Sequence, residues 1–198
     1  MNATTTALLR QLKTLGDQTR LRLVALCRHG ECSVSELTRV IGLSQPRVSQ
    51  HLKQLCDTGI LERFRDGKRV FYRVGDPSRR GAELNALLAL IPDDDPAIRE
   101  DAERLLRGRG QRVRDVQPDA HHEIEYRALH RAILDLTVTA PIGDLLDVGC
   151  GRGALLKLLA GRANRAVGVD IDASARQLAR AELLLAGIPN CSLRQGDM

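Results

Sequence analysis

The chain has 198 residues and a formal net charge of +5, but the charge is uneven: residues 1–80 carry 15 Lys or Arg against 7 Asp or Glu, and residues 81–198 carry 15 against 18. A basic first part on a near-neutral remainder is suited to meet a polyanion with its first part. No apolar run approaches the ~20 residues of a membrane span, the opening MNATTT lacks a signal-peptide pattern, and five scattered cysteines (27, 32, 56, 150, 191) read as thiols of a cytoplasmic protein, not as a disulfide framework.

Apolar residues at 8, 9, 12 and 15 predict a first helix over 6–15. Asp17 is placed to cap a second through Leu21, Leu23, Val24 and Leu26, ending at His29-Gly30. Ser33, Val34, Ser35 and Glu36 form a capping-box pattern for a short third helix ending near Gly42. A fourth, SQPRVSQHLKQL (44–55), has Ser44 as N-cap and Pro46 in the first turn. Val48, Leu52 and Leu55 share its inner face; Arg47, Gln50, Lys53 and Gln54 share the outer one, with Gln45 at its start and Ser49 on the flank. Arg pairs with guanine and Gln with adenine, so this face can read a major groove. Two strand runs, ILERFR (60–65) and KRVFYRV (68–74), flank Asp66-Gly67, read as the turn of a hairpin. Its Arg63, Arg65, Lys68, Arg69 and Arg73 have the charge to follow a phosphate backbone.

Helix, short helix, turn, recognition helix and basic hairpin make a winged helix-turn-helix, and residues 5–75 resemble the ArsR-type bacterial repressors through LGDQTRLRLVALC, SVSELTRVIGLSQPRVSQHLKQL and GILERFRDGKRVFYRV. The resemblance implies a homodimer on a double-stranded DNA operator. Metal-sensing members open the third helix with a Cys-Val-Cys; here Ser33 and Ser35 take those places and Cys32 is displaced by one. A hydroxyl is a poor ligand for thiophilic metals, so no metal is expected, and Cys27, Cys32 and Cys56 are expected as small buried residues. Asp119, His121 and His122, with His130 nearby, miss the i, i+4 spacing of a helical metal pair.

Residues 82–91 predict an apolar helix that the resemblance places with the first helix in a dimer interface. Another follows Asp93-Asp94-Asp95-Pro96, over 97–107, closed by Gly108 and Gly110. Residues 111–118 read as a linker, and 121–136 as an amphipathic helix.

Residues 144–149 are a buried-strand run leading through Gly149, Gly151 and Gly153 into a helix over 154–160. A second strand over 165–170 is followed by a helix capped by Asp172, and 191–194 form a third strand. This β-α-β-α-β order gives a parallel sheet that binds a nucleoside. The glycines let the backbone approach a ligand, and Asp170 is placed to accept from ribose hydroxyls. The glycine spacing also fits NAD(H), so an NAD(H)-sensing repressor is an alternative. Asp147 and Asp197 argue against it: Asp147 gives Asp-x-Gly-x-Gly-x-Gly, which resembles the first motif of class I S-adenosylmethionine-dependent methyltransferases, and Asp197 stands where those enzymes place an acid near the adenine amino group. Ile171 and Met198 adjoin the two later acids and complete the cofactor set.

The fold class expected is α/β overall: a winged helix-turn-helix (1–91), a helical connector (92–140) and the first half of a Rossmann-like methyltransferase sheet (141–198). The function expected is a DNA-binding repressor that senses the small adenosyl ligand S-adenosylmethionine or S-adenosylhomocysteine, with no membrane partner. The pairing of domains resembles S-adenosylhomocysteine-responsive regulators of the methionine cycle. Ending at Asp197-Met198, the chain reads as part of a longer fusion, with weakened ligand binding and no catalytic residue assigned. The rival reading is a methyltransferase with an appended winged helix.

Overall fold

The computed structural model describes residues 5–75, 80–115, 130–135, 137–138 and 142–196. They form two units, residues 1–105 and 106–198. The first unit begins with α1 (Thr5–Leu15) and α2 (Gln18–Arg28), then a two-residue strand β1 (Cys32–Ser33), α3 (Val34–Ile41) and α4 (Gln45–Asp57). The hairpin β2 (Leu61–Asp66) and β3 (Arg69–Val74) and helix α5 (Ala82–Ala89) complete it, with the first part of α6 (Pro96–Arg114).

Local chemistry explains the boundaries. Asp17 accepts from Arg20 N–H at 2.9 Å and opens α2. Ser33 and Glu36 make both halves of a capping box: Glu36 N–H donates to Ser33 Oγ at 3.3 Å and Ser33 N–H to Glu36 Oε2 at 2.9 Å. Gly42, at φ 75°, closes α3 in the left-handed region. Leu23, Leu26, Leu37, Leu52, Leu55 and Ile60 are buried and make the core that locks α2, α3 and α4 together.

The hairpin turns one residue later than its sequence suggests. Asp66 pairs with Arg69, leaving Gly67 and Lys68 as the loop. Gly67 has φ 58° and among the described residues no non-glycine residue, Lys68 included, has positive φ, the pattern of a type II′ turn and not the type I′ turn of an Asp-Gly loop. Each partner therefore moves by two residues. Phe64 faces Phe71, with ring centroids 5.8 Å apart, and Glu62 faces Arg73; both are favourable cross-strand pairs. β1 adds a third strand by pairing antiparallel with β3, in the order β1-β3-β2.

Helix α6 runs through Gly108 and Gly110 to Arg114 where the sequence predicts a stop near residue 107 and a linker from 111. Two interior glycines disfavour a helix by about 1 kcal/mol each, so side-chain anchoring offsets them. In the second unit the buried Arg109 donates from Nη1 to Arg180 O at 3.2 Å. A Cβ at Gly110 would already touch Leu185 Cδ2 at 3.9 Å.

The second unit continues with helix α7 (130–135), β4 (Ile142–Val148), α8 (Ala154–Leu159) extended by a 3₁₀ turn at Ala160–Arg162, β5 (Ala163–Asp170), α9 (Ala173–Leu185) and β6 (Cys191–Gln195). The sheet is parallel, in the order β4-β5-β6, a partial Rossmann-like arrangement. Leu156, Ala160, Ala166, Ala179, Leu183 and Leu193 form its core. Small residues let helix and sheet approach closely: a Cβ at Gly168 would lie 2.6 Å from Leu193 Cδ2 and 2.7 Å from Leu156 Cδ1. On the opposite parity of β4, Leu146 and Val148 are 63% and 48% exposed, and among the described residues β4 has β5 as its strand partner.

Candidate functional site

The candidate recognition surface is built on α4. Val48, Leu52 and Leu55 are fully buried, which turns Ser44, Gln45, Arg47, Gln50 and Lys53 outward and leaves Ser49 half-exposed. Ser44 takes the N-cap position at φ −64° and is exposed, and its hydroxyl makes no capping hydrogen bond. Arg63 and Arg65 are exposed on β2, and Lys68 and Arg69 at the tip of the wing.

Arg73 departs from the expected basic ribbon. Its Nη2 lies 2.9 Å from Glu62 Oε2, its Nη1 3.9 Å from Glu31 Oε1, and its guanidinium 5.7 Å from the Phe64 ring centroid. The shifted register puts it opposite an acid, and it is a structural cation of the wing. Tyr72 stands opposite Arg63; burial pushes its hydroxyl above the ordinary value and Arg63 works against that.

The third-helix entrance has no free donor set. Ser33 Oγ donates to Glu36 Oε2 at 2.8 Å and lies 3.1 Å from Ser35 Oγ. Cys27 and Cys32 are buried and Cys56 is half-buried, and none of the three is in a disulfide. Among the described residues no group of three or more His, Cys, Asp or Glu is placed to hold a metal ion. Asp119, His121 and His122 lie outside the described residues.

In the second unit the strand ends assemble a loop site. β4 passes into Gly149 (φ 75°), Cys150, Gly151 (φ 50°) and Gly153 (φ 75°). Gly149 and Cys150 donate their N–H groups to Val169 O at 2.7 and 3.0 Å, pinning the loop to β5. The glycines divide the work. A Cβ at Gly149 or Gly151 would meet nothing within 4 Å, so the loop is open there; one at Gly153 would press on Ala179 Cβ at 3.2 Å. The first two leave room for a ligand and the third lets α8 and α9 pack.

Asp170 closes β5 beside this loop. Its Oδ2 accepts from Gly151 N–H at 2.8 Å and its Oδ1 from Asp172 N–H at 2.7 Å. Each carboxylate oxygen accepts two bonds, so both retain a lone pair for a hydroxyl. Asp147 is half-buried; burial pushes its carboxyl above the usual range, His130 opposes this, and Asp170 adds to it. Ile171 is 63% exposed beside Asp170. Asp197 and Met198 lie outside the described residues.

Two residues of this site are absent from the sequence reading. Arg176 is fully buried on α9 and donates from Nη1 to Asp170 O at 2.7 Å; Arg180 donates from Nη2 to Leu193 O at 2.7 Å. Their signal was available: 176, 179, 180 and 183 follow the inward spacing of α9, so the two arginines sit on the stripe that Ala179 and Leu183 mark as core.

Residues 17–63 match the family model described as bacterial regulatory protein, arsR family. Over 96 residues the chain is 40% identical to a probable mercury resistance operon repressor of Streptomyces lividans, covering 48% of this chain and 75% of that one. The chain belongs to the ArsR family. It is also 42% identical over 80 residues to a biofilm growth-associated repressor of Xylella fastidiosa, covering 40% of this ArsR-family chain and 69% of the relative. A crystal structure of the transcriptional repressor BigR from Xylella fastidiosa is 39% identical, covers 41% of this chain and 77% of its own, and gives a TM-score of 0.36. Residues 145–198 match a second family model, described as methyltransferase domain, which takes in the whole loop from Asp147 to Asp170.

Proposed function

We propose that this ArsR-family regulator is a cytoplasmic homodimer that represses from a double-stranded DNA operator, and that its second unit binds S-adenosylmethionine or S-adenosylhomocysteine to change operator affinity. The observation that carries the ligand half is the pairing of open, positive-φ glycines at 149 and 151 with the Asp170 carboxylate. A nucleoside laid over that loop meets backbone where side chains would exclude it, and its ribose hydroxyls meet an acid with lone pairs to spare. Asp147 adds a second acid for the cationic end of the ligand. For the DNA half, Arg47 and Gln50 read bases from α4 while Lys68 and Arg69 follow the backbone. Leu9 and Leu12 on α1, which packs on α5, and Leu90 are exposed apolar residues, and they support pairing of two copies through these helices. No helix among the described residues is long and apolar enough to cross a membrane.

The test is a titration of an operator complex with S-adenosylhomocysteine, S-adenosylmethionine and NADH. A shift in DNA affinity with either adenosyl ligand supports the reading; a shift with NADH alone replaces the ligand. The methyltransferase-domain match favours one second reading, an enzyme carried on a DNA-binding module. Formation of a methylated product with no ligand effect on DNA would establish it.

A further inference from the structure

Gln54 is held by a residue outside the recognition helix. Arg20, at the start of α2, donates from Nη1 to Gln54 Oε1 at 2.8 Å. The same guanidinium is fixed on its other edges: Nε donates to Thr14 O, Nη2 to Lys13 O at 3.4 Å, and Asp17 Oδ2 lies 3.8 Å away. Its side chain is only 16% exposed. The bond decides the orientation of the amide. Arginine has only donors, so the atom facing it must be the carbonyl oxygen of Gln54, and the NH2 group is turned the other way.

Arg47, Gln50 and Gln54 fall on one stripe of α4 at i, i+3, i+7, and all three are exposed. They differ in what they offer. To read adenine, a glutamine must both donate and accept. Among the described residues Gln50 has no side-chain partner, whereas the Gln54 carbonyl oxygen is turned onto the Arg20 guanidinium; its second lone pair stays open, but Arg20 fixes the amide edge so that it does not rotate to align with a base. An amide held by its oxygen offers the NH2 group, turned away from Arg20, as a donor, and a donor to a phosphate oxygen carries no base information.

We propose that Gln54 is a phosphate-contacting residue and Arg20 its positioning residue, so that base reading ends at Gln50 and the later part of the stripe sets where α4 lies along the duplex. This rests on the reading of α4 as the DNA-facing helix. It assigns a role to two residues that composition alone makes indistinguishable from their neighbours.

The experiment selects duplexes from a random library with the wild-type chain, then measures affinity for a selected and a scrambled duplex across a salt series. Gln54→Ala is expected to weaken both duplexes by the same factor, about tenfold, with base preference and salt slope unchanged, because a neutral donor releases no counterion. Gln54→Glu keeps the acceptor for Arg20 and loses the donor. It is expected to melt no lower than wild type and to bind both duplexes more weakly than Gln54→Ala. Arg20→Met should reproduce the loss of Gln54→Ala, and the double variant should be no worse than either; where Arg20→Met does not fold, the two Gln54 variants decide. A changed base preference in Gln54→Ala, or wild-type affinity in Gln54→Glu, overturns the assignment. Failure of the wild-type chain to select any duplex would instead remove the DNA-facing reading of α4.

Discussion

Asp170 Oδ2 accepts the N–H of Gly151 at 2.8 Å, so the acid that ends β5 is bonded to the loop that ends β4. One carboxylate thus holds the glycine turn in place and keeps lone pairs for a further donor, in the proposed complex a ribose hydroxyl. Asp170→Ala removes both contributions. It is expected to weaken S-adenosylhomocysteine binding by about a hundredfold, the loss of two hydrogen bonds to a charged acceptor, as measured by calorimetry. Gly151→Ala tests the turn separately. At φ 50° an added Cβ meets no neighbour, and the cost is backbone strain of about 1–2 kcal/mol, read as a lower melting temperature. Undiminished binding in Asp170→Ala would refute the ribose role.

The proposed DNA contacts divide between the helix and the wing. Arg47→Ala or Gln50→Ala should relax preference at one base position, each costing about 1–3 kcal/mol against the right site. Lys68→Ala, at the wing tip, should weaken all sequences alike and reduce the salt slope by about one unit. Arg73→Ala behaves differently from both. Because Arg73 is engaged by Glu62, Glu31 and the Phe64 ring, it should lower the stability of the wing and leave the salt slope unchanged. A slope reduced by Arg73→Ala as much as by Lys68→Ala contradicts the inward orientation.

Much of this was legible because short-range chemistry decided it. The caps at Asp17 and Ser33 need only a side chain and its own next turn, and the glycines at 149, 151 and 153 are read from a strand followed by a helix. What was not legible depended on partners far away in sequence. The wing register is set by Phe64 on Phe71 and Glu62 on Arg73, which outweigh the Asp-Gly pair as a local turn signal. Helix α6 continues through two glycines because Arg109 reaches Arg180 O, 71 positions away. Arg176 was hidden by its charge: an arginine on an inward stripe reads as a solvated exception until a carbonyl is found for it.

The thiols are expected to be poor sites for soft metals. Ser33 and Ser35 replace the thiolate pair, and Ser33 is held by Glu36 in the capping box. Burial pushes the Cys56 thiol up to about 11, with Arg63 opposing it, and the same cause, reinforced by Asp147 and Asp170, brings Cys150 up to about 11. At pH 8 about one molecule in a thousand then carries the thiolate at either position, and the thiolate is the form that ligates metal or attacks an electrophile. Iodoacetamide should therefore modify Cys56 about a hundredfold more slowly than a thiol of ordinary pKa 9 at pH 8, with the rate still rising at pH 10. Arsenite and mercuric ion should not release DNA from the wild-type chain any more readily than from a variant with Cys27, Cys32 and Cys56 changed to Ser. Metal-dependent release that disappears in that variant would show a thiolate site after all.

Glu182 joins α8 to α9 and gives the second unit a measurable pH dependence. Its Oε2 lies 2.8 Å from Lys157 Nζ and its Oε1 3.0 Å from Arg152 Nη2. Burial raises its carboxyl, but the two cations outweigh burial and hold it below the ordinary value of 4.5. A carboxylate lowered on folding stabilises above its unfolded value and loses that contribution as pH falls through its folded one. Both cationic side chains are about a third exposed, 34% and 37%, so solvent screening limits the contribution to under about 1 kcal/mol. Glu182→Gln should therefore destabilise the chain by a fraction of that at pH 7, and by the same amount at pH 6. The difference should shrink as pH falls below 4.5 and vanish once pH has passed below the lowered folded-state value, where the wild-type group is itself protonated. Urea unfolding at these pH values measures it, and 1 M salt at pH 7 should also reduce the difference. A difference that stays constant down to pH 3 would mean Glu182 acts through packing of its methylenes and not through its charge.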